Sequence, residues 1–300
     1  MSTQFELRAT ISSELATLLE DHFLENELVD WGIMQREIDD PYEVFGVFSD
    51  SGKAHAALEN LRTAFPDLPE NFSGKVIRDA VWKNAYKEFL KPWHDRQLHW
   101  IPLWERNTYT MPENAICVYL DSGMAFGTGA HETTRLCARR LLDYHKIHGD
   151  SLERLRIIDA GCGSGILSLS ASALGFKMVS GFDIDPEAIV VCKQNTHENP
   201  HISAPEFITA NLEDGLKGKQ ANLVLANIQT SILIPSSRLL VKSVAPLGTL
   251  VLSGILTREI KDVHTQYTAE FSKLHPDAGF NVHSREDGEW SDLQFTLSAR

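Results

Sequence analysis

Residues Ile157 to Pro186 read IIDAGCGSGILSLSASALGFKMVSGFDIDP, and this stretch decides the fold. An apolar pair, Ile157-Ile158, leads into Asp159, and Gly161, Gly163 and Gly165 follow at alternate positions. A small, apolar run from Ile166 to Leu174 has the composition of a buried helix, and Met178 to Phe182 reads as a second strand ending on Asp183. The order is therefore strand, glycine turn, helix, strand, acid. Glycines at such a turn let the backbone approach a flat ligand and the following helix closely. An acid at the tip of the second strand can accept hydrogen bonds from both hydroxyls of a ribose. The unit is shaped to hold a nucleoside, although the same turn also suits plain helix–strand packing.

A dinucleotide site wants G-x-G-x-x-G, with a helix N-terminus facing a pyrophosphate. Here the spacing is G-x-G-x-G, and Ile166 stands where the third glycine would fall. Asp159 adds negative charge that a pyrophosphate disfavours and that a zwitterionic amino-acid tail with a sulfonium tolerates. The pattern Asp-x-Gly-Cys-Gly-Ser-Gly followed by Gly-Phe-Asp resembles class I S-adenosylmethionine-dependent methyltransferases.

Three hundred residues are enough for one large or two ordinary domains. The 43% hydrophobic and 23% charged content is that of a globular protein rather than a disordered one. No run of 18 apolar residues exists to span a membrane, and Met1 to Glu6 lack the basic-then-apolar pattern of a secretory signal. A cytoplasmic protein is expected. The four cysteines are scattered without C-x-x-C or zinc spacing, which predicts reduced thiols and no metal site. The net charge of −13 is uneven. Residues 1–70 carry 15 Asp/Glu against 4 Lys/Arg, while residues 71–97 carry 3 against 6. An acidic N-terminal part disfavours direct nucleic-acid binding. It suits a basic protein partner, or simply solubility.

The chain opens on alternating Phe5, Leu7 and Ala9, a strand pattern. Ser12 can cap a helix carrying Leu15, Leu18, Leu19 and Phe23 on one face. Strands are predicted over 28–38 and Tyr42 to Phe48, a second helix carries Ala54, Leu58, Leu61 and Phe65, and Phe72 to Ile77 reads as a last strand. This is the β-α-β-β-α-β order of a ferredoxin-like unit. Trp82, Ala85, Tyr86, Phe89 and Trp93 form an aromatic stripe at helical spacing, predicting a connecting helix. His99 to Trp104 and Ile116 to Leu120 read as strands, and 145–156 as a polar loop. Ala125 to Thr134, AFGTGAHETT, is rich in glycine and hydroxyls and precedes a helix. Such a loop can donate hydrogen bonds to a ligand or merely cap the helix. His131-Glu132 is either a base pair for proton transfer or solvated. Further on, Leu223 to Ala226 is fully apolar, as in a strand buried on both faces, and ends on Asn227. A polar residue at the carboxyl end of a central strand is where open α/β sheets place ligands; a turn-starting Asn is the alternative. A helix is predicted around 236–244, a strand over Thr249 to Ile255, a helix around 257–271, and a closing strand pair at Phe280 to His283 and Leu293 to Leu297.

Four features resemble one family closely: Ala125 to His131 with Thr133-Thr134, the Asp159-to-Gly165 turn, Gly181-Phe-Asp-Ile-Asp-Pro186, and Ala226-Asn227-Ile228. The chain is similar to the ribosomal protein L11 methyltransferase family. The resemblance implies an α/β fold: a class I methyltransferase, doubly wound, mostly parallel sheet with a C-terminal antiparallel strand, preceded by a small ferredoxin-like α+β domain and a helical linker. The boundaries expected are 1–77 for substrate recognition, 78–98 for the linker and 99–300 for catalysis. It implies transfer of methyl groups from S-adenosylmethionine to lysine side chains or the N-terminal amine of ribosomal protein L11 by a monomeric enzyme. Thr134, Gly161, Gly163, Asp183 and Asn227 are the expected cofactor positions, with Asn227 also facing the substrate amine and Phe126 lining the methyl channel. Tyr86 departs from the family's tryptophan-rich linker, about six extra residues lie between Arg140 and Ile157, and Ile232 to Ile234 replace smaller residues. Rival readings are an RNA methyltransferase, which wants a basic face, and a glutamine-modifying enzyme, which wants Asn-Pro-Pro-Tyr where Asn227-Ile228-Gln229-Thr230 stands. A third is a non-enzymatic nucleoside-binding scaffold.

Overall fold

The computed structural model describes residues 3–26, 28, 30–35, 40–78, 91–121, 131–149 and 151–299. Contacts divide the chain into two units, Met1–Glu88 and Phe89–Arg300.

Among its described residues the first unit has four strands, β1 (Thr3–Ile11), β2 (Trp31–Met34), β3 (Tyr42–Phe48) and β4 (Ser73–Arg78), with helices α1 (Ser13–Glu25) and α2 (Ser51–Ala64). The sheet order is β2-β3-β1-β4, and every pairing is antiparallel. This is the expected ferredoxin-like order. Alternation along β1 puts Leu7, Ala9 and Ile11 on one face, where they meet Leu19, Phe23, Leu58 and Leu61 from the helices. Ser12 accepts the Leu15 N–H at 3.2 Å, capping α1 as its position predicts.

The second unit begins with strands β5 (Trp93–Asp95), β6 (Leu98–Pro102) and β7 (Ile116–Leu120) in a small sheet. The predicted connecting helix lies largely outside the described residues, but its last part is corrected. Trp93, the end of the aromatic stripe, stands on β5 directly opposite Trp100, with ring centroids 4.2 Å apart. Pro92 cannot donate within a helix, and a cross-strand aromatic pair rewards the extended form.

The main sheet contains β8 (Arg156–Ala160), β9 (Met178–Asp183), β10 (Glu206–Thr209), β11 (Ala221–Asn227), β12 (Val244–Leu256), β13 (Gly279–Asp287) and β14 (Trp290–Ser298). Its order is β10-β9-β8-β11-β12-β14-β13. The first five run parallel, and β14 runs antiparallel to both its neighbours. The helices are α3 (Glu132–His148), α4 (Ile166–Ala173), α5 (Pro186–Glu198), α6 (Leu212–Leu216), α7 (Thr230–Lys242) and α8 (Ile260–Leu274). The apolar run in β11 is apolar because both of its faces are covered. Leu223 and Leu225 pack with Leu141, Leu167 and Leu169 from α3 and α4. Val224 and Ala226 pack with Leu240, Val263 and Tyr267 from α7 and α8.

Two predicted boundaries move. The polar segment from 145 continues α3 to His148, where Tyr144 and His148 rings lie 4.2 Å apart and Tyr144 is buried. The helix expected near 236 begins at Thr230, with Pro235 inside it. The strand order reverses between β8 and β11, so the crevice at their carboxyl ends is the place for a ligand.

Candidate functional site

The turn after β8 has the backbone that its glycines predict. Gly161, Gly163 and Gly165 have φ of +76°, +51° and +79°, a region unfavourable to other residues. The N–H groups of Gly161 and Cys162 both donate to the Phe182 carbonyl, at 2.9 and 3.0 Å, tying the turn to the end of β9. Gly163 donates its N–H to Oδ2 of Asp183 at 2.8 Å, and Asp185 donates to Oδ1 at 3.0 Å. The carboxylate is thus aimed by one backbone donor per oxygen, and each oxygen keeps acceptor capacity for a further donor. Asp185 in turn caps α5, accepting the Glu187 N–H at 2.8 Å ahead of Pro186.

Asp159, one of the acids flanking the turn, does not line the crevice. It is 1% exposed and accepts both the N–H and the hydroxyl of Ser168, at 3.1 and 2.7 Å. Gly165, at the N-cap of α4, has no side chain to offer, so Asp159 caps that helix from the strand. Burial pushes its carboxyl up to about 6 against the pull of Ser168, and the nearby Asp183 charge adds to the rise.

On the far side of the switch point, Asn227 closes β11 at 8% exposure. Its amide donates to Oγ1 of Thr134 at 3.3 Å, and its Oδ1 is buried with no hydrogen-bond partner among the described residues. An unmet buried acceptor costs roughly 1–3 kcal/mol, which a donating ligand would remove. His131 caps α3, with Nδ1 accepting the Thr133 N–H at 3.3 Å and lying 2.8 Å from its hydroxyl. Ser253 donates to the Thr133 carbonyl at 3.0 Å, fixing this helix start against β12.

Gly161, Gly163, Asp183 and Asn227 line one cavity of about 480 Å³, together with His131, Gly254 and Trp290. The sequence thus brings four of its predicted residues into a single site. Thr134 is fully buried and outside the lining, reaching the site through Asn227. Phe126 lies outside the described residues. Gly254 and Trp290 carried no sequence prediction. Gly254 was detectable as a glycine ending an apolar run. Its φ is +82°, and a Cβ there would sit 2.5 Å from the Ile228 carbonyl oxygen. Trp290 had no signal, since it reaches the cavity only through the strand order. Among the described residues, the ionisable groups lining the cavity are Asp183 and His131. One carboxylate, an acceptor without a described partner, and walls that are largely apolar beside His131, Thr133, Asn211 and Gln229 suit a ribose diol and a cationic tail better than a pyrophosphate, for which no Lys or Arg lines the cavity among the described residues.

The description "Ribosomal protein L11 methyltransferase (PrmA)" belongs to the family model that matches residues 7–296. A protein named ribosomal protein L11 methyltransferase from Hydrogenovibrio crunogenus is 32% identical, over 97% of this chain and 97% of its own length. A protein of the same name from Pseudomonas fluorescens is 34% identical over 89% of this chain and 92% of its own. Among solved structures, a ribosomal protein L11 methylase from Lactobacillus delbrueckii subsp. bulgaricus superimposes with a TM-score of 0.57. It covers 68% of this chain and 96% of that one at 24% identity, a likeness of fold. With the glycine turn, Asp183 and Asn227 converging on one cavity, and with relatives matching nearly end to end, the chain belongs to the ribosomal protein L11 methyltransferase family.

Proposed function

We propose that this protein methylates amino groups of ribosomal protein L11, with S-adenosylmethionine as the methyl donor. The observation that carries the reading is the Oδ1 of Asn227, without a partner among the described residues, buried at the carboxyl end of β11 in the same cavity as the pre-aimed Asp183. Bound there, S-adenosylmethionine supplies a methyl group already activated on a sulfonium.

The chain's own residues then have three tasks. Asp183 accepts the ribose hydroxyls with oxygens that Gly163 and Asp185 already orient. Gly161 and Gly163, which carry no Cβ atoms, would let the backbone approach the cofactor's amino-acid tail closely. Asn227, steadied by Thr134, takes an N–H of the incoming amine on Oδ1 and turns its lone pair toward the methyl group. The leaving sulfur is neutral, so no general acid is needed. Apolar walls disfavour the ammonium form, which lets the amine lose its proton near neutral pH without a strong base.

Residues 1–77 recognise the substrate, an assignment supported by their 15 acidic side chains up to residue 70 against 4 basic ones. Residues 99–300 carry out catalysis, joined by the segment 78–98, and the site of action is the cytoplasm. Incubating the enzyme with methyl-labelled S-adenosylmethionine and intact ribosomes tests this. Label should appear on amines of L11. Label in ribosomal RNA, or on glutamine of a translation factor, would overturn it.

A further inference from the structure

Helix α5 runs behind the glycine turn, and its buried face is partly polar. Cys192, Asn195 and Asn199 fall at i, i+3 and i+7, on one side of α5 and the residue that caps it. They are 0%, 1% and 1% exposed. A buried amide is tolerated only where it meets partners, and one whose partners lie on two segments ties those segments together.

Asn195 does this. Its Nδ2 donates to the Ser164 carbonyl at 3.1 Å, inside the glycine turn. Its Oδ1 accepts the Asp121 N–H at 2.9 Å, directly after β7. On one side of it, the Cys192 thiol donates to the Gly163 carbonyl at 3.1 Å. On the other, Asn199 accepts the Tyr119 N–H at 2.8 Å and donates to the Tyr119 carbonyl at 2.7 Å. Cys192 thus holds the turn, Asn199 holds β7, and Asn195 holds both.

The turn has a need for such bonds. Gly163 and Gly165 have no Cβ to confine their backbone. The Gly163 N–H donates forward to Asp183, whereas the carbonyls of Gly163 and Ser164 are taken from behind by α5. The peptides on either side of Gly163 are therefore fixed by different partners. The carboxylate that meets the ribose is aimed through a glycine that α5 keeps in place. The packing behind the turn is close, since a Cβ on Gly165 would lie 3.0 Å from the Cys192 sulfur. Without the Asn195 donor the crest of the turn regains backbone freedom, and a ligand that needs the turn ordered must remove it again, at a cost in affinity.

We propose that Asn195 is a positioning residue, whose side chain clamps the crest of the cofactor turn to the end of β7 and so sets the affinity for the methyl donor. It lies outside the cavity lining, so it acts through the turn and not by touching the ligand. The inference rests on the reading that S-adenosylmethionine binds along that turn.

The test measures S-adenosylmethionine binding by calorimetry on the full chain, and kcat and the KM for S-adenosylmethionine with L11 as acceptor. Asn195→Leu keeps the volume and removes both bonds. Asn199→Leu is the control, because it removes two equally buried bonds that do not involve the turn. Asn195→Leu should raise Kd and KM for S-adenosylmethionine at least about fivefold, with kcat at saturation within about threefold of the parent. Asn199→Leu should leave Kd within about twofold. Should Asn195→Leu fail to fold, Asn195→Ser, which is too short to span both partners, carries the same comparison. A Kd within about twofold of the parent in the folded Asn195 variant overturns the proposal. So does an equal rise in Asn199→Leu, or a fall in kcat with Kd unchanged. A parent protein that does not bind S-adenosylmethionine overturns the cofactor reading together with the proposal, whereas an Asn195 variant that binds like the parent overturns the proposal alone.

Discussion

Asp183 enters the folded protein with each carboxylate oxygen already held by one backbone N–H, so its orientation costs the ligand little. Asp183→Ala removes charge-assisted hydrogen bonds worth about 1.5–3 kcal/mol. Calorimetry should show S-adenosylmethionine binding weakened about 10- to 150-fold, and neither protein should bind NAD tightly. Asn227→Ala should divide differently. The amine is aligned only on the way to the transition state, so kcat should fall at least about tenfold while the cofactor Kd moves less than about threefold. A turnover within about twofold of the parent would make Asn227 a turn residue. Asp159 offers a pH test. Its folded pKa of about 6 lies above the ordinary 3.8. Its protonated form is therefore favoured by folding, and the stability it contributes is full below pH 3.8 and is lost as pH rises through about 6. Asp159→Asn stays neutral and keeps an oxygen for Ser168. Urea unfolding should show the variant gaining on the parent between pH 4.5 and 7.5, by about 2 kcal/mol. An equal difference at both pH values would mean that Asp159 titrates normally.

Among the elements, α3 ties the C-terminal hairpin to the site. Arg140 on α3, 4% exposed, donates to both carboxylate oxygens of the fully buried Asp292 on β14, at 2.8 and 2.6 Å. Asp292 also accepts the Arg285 N–H from β13 at 2.9 Å. Removing one partner strands a buried charge, so Arg140→Met should destabilise the second unit by about 3–5 kcal/mol in a denaturant titration. Replacing Arg140 and Asp292 together by apolar residues should cost less. The elements also show what a sequence reveals and what it hides. Leu223 to Ala226 announced a strand covered on both faces because burial leaves no room for a polar residue, and the glycine turn announced itself because each of its positive φ angles excludes a Cβ. Asp159 was misjudged because its partner, Ser168, is a helix turn and a loop away, and a cap supplied from a neighbouring strand leaves no local signature. Trp93 fits the helical spacing of the aromatic stripe, but Trp100, seven residues on, holds it in a strand pair that helical spacing does not register. The helix expected around 236–244 begins at Thr230, with Pro235 inside it.

At the scale of the molecule, the two units make separable predictions. A shortened chain lacking the first unit should keep S-adenosylmethionine affinity and lose methylation of L11. It must begin near Phe89 rather than at residue 99, because β5 and its Trp93–Trp100 pair belong to the second unit. Undiminished methylation by that chain would remove the recognition role from residues 1–77. The two-unit organisation was legible because acidic residues crowd the first seventy positions and because the order β-α-β-β-α-β repeats nothing found later. The route by which Trp290 joins the cavity was not legible, since it depends on where a late strand is inserted.

That insertion has a consequence for how the protein is made. Of the seven strands in the main sheet, β14 is the last to be synthesised, yet it lies inside the sheet, between β12 and β13. Until it emerges from the ribosome, β12 has an unpaired edge, β13 has no partner on the side it will use, and Arg140 has no carboxylate to meet. The nascent chain can form its N-terminal unit and the nucleoside turn early, but the wall carrying Trp290 is completed only afterwards. An enzyme of this design becomes competent only once β14 has been translated, and a stop codon anywhere ahead of β14 should leave an aggregation-prone, open-edged product rather than a weaker enzyme.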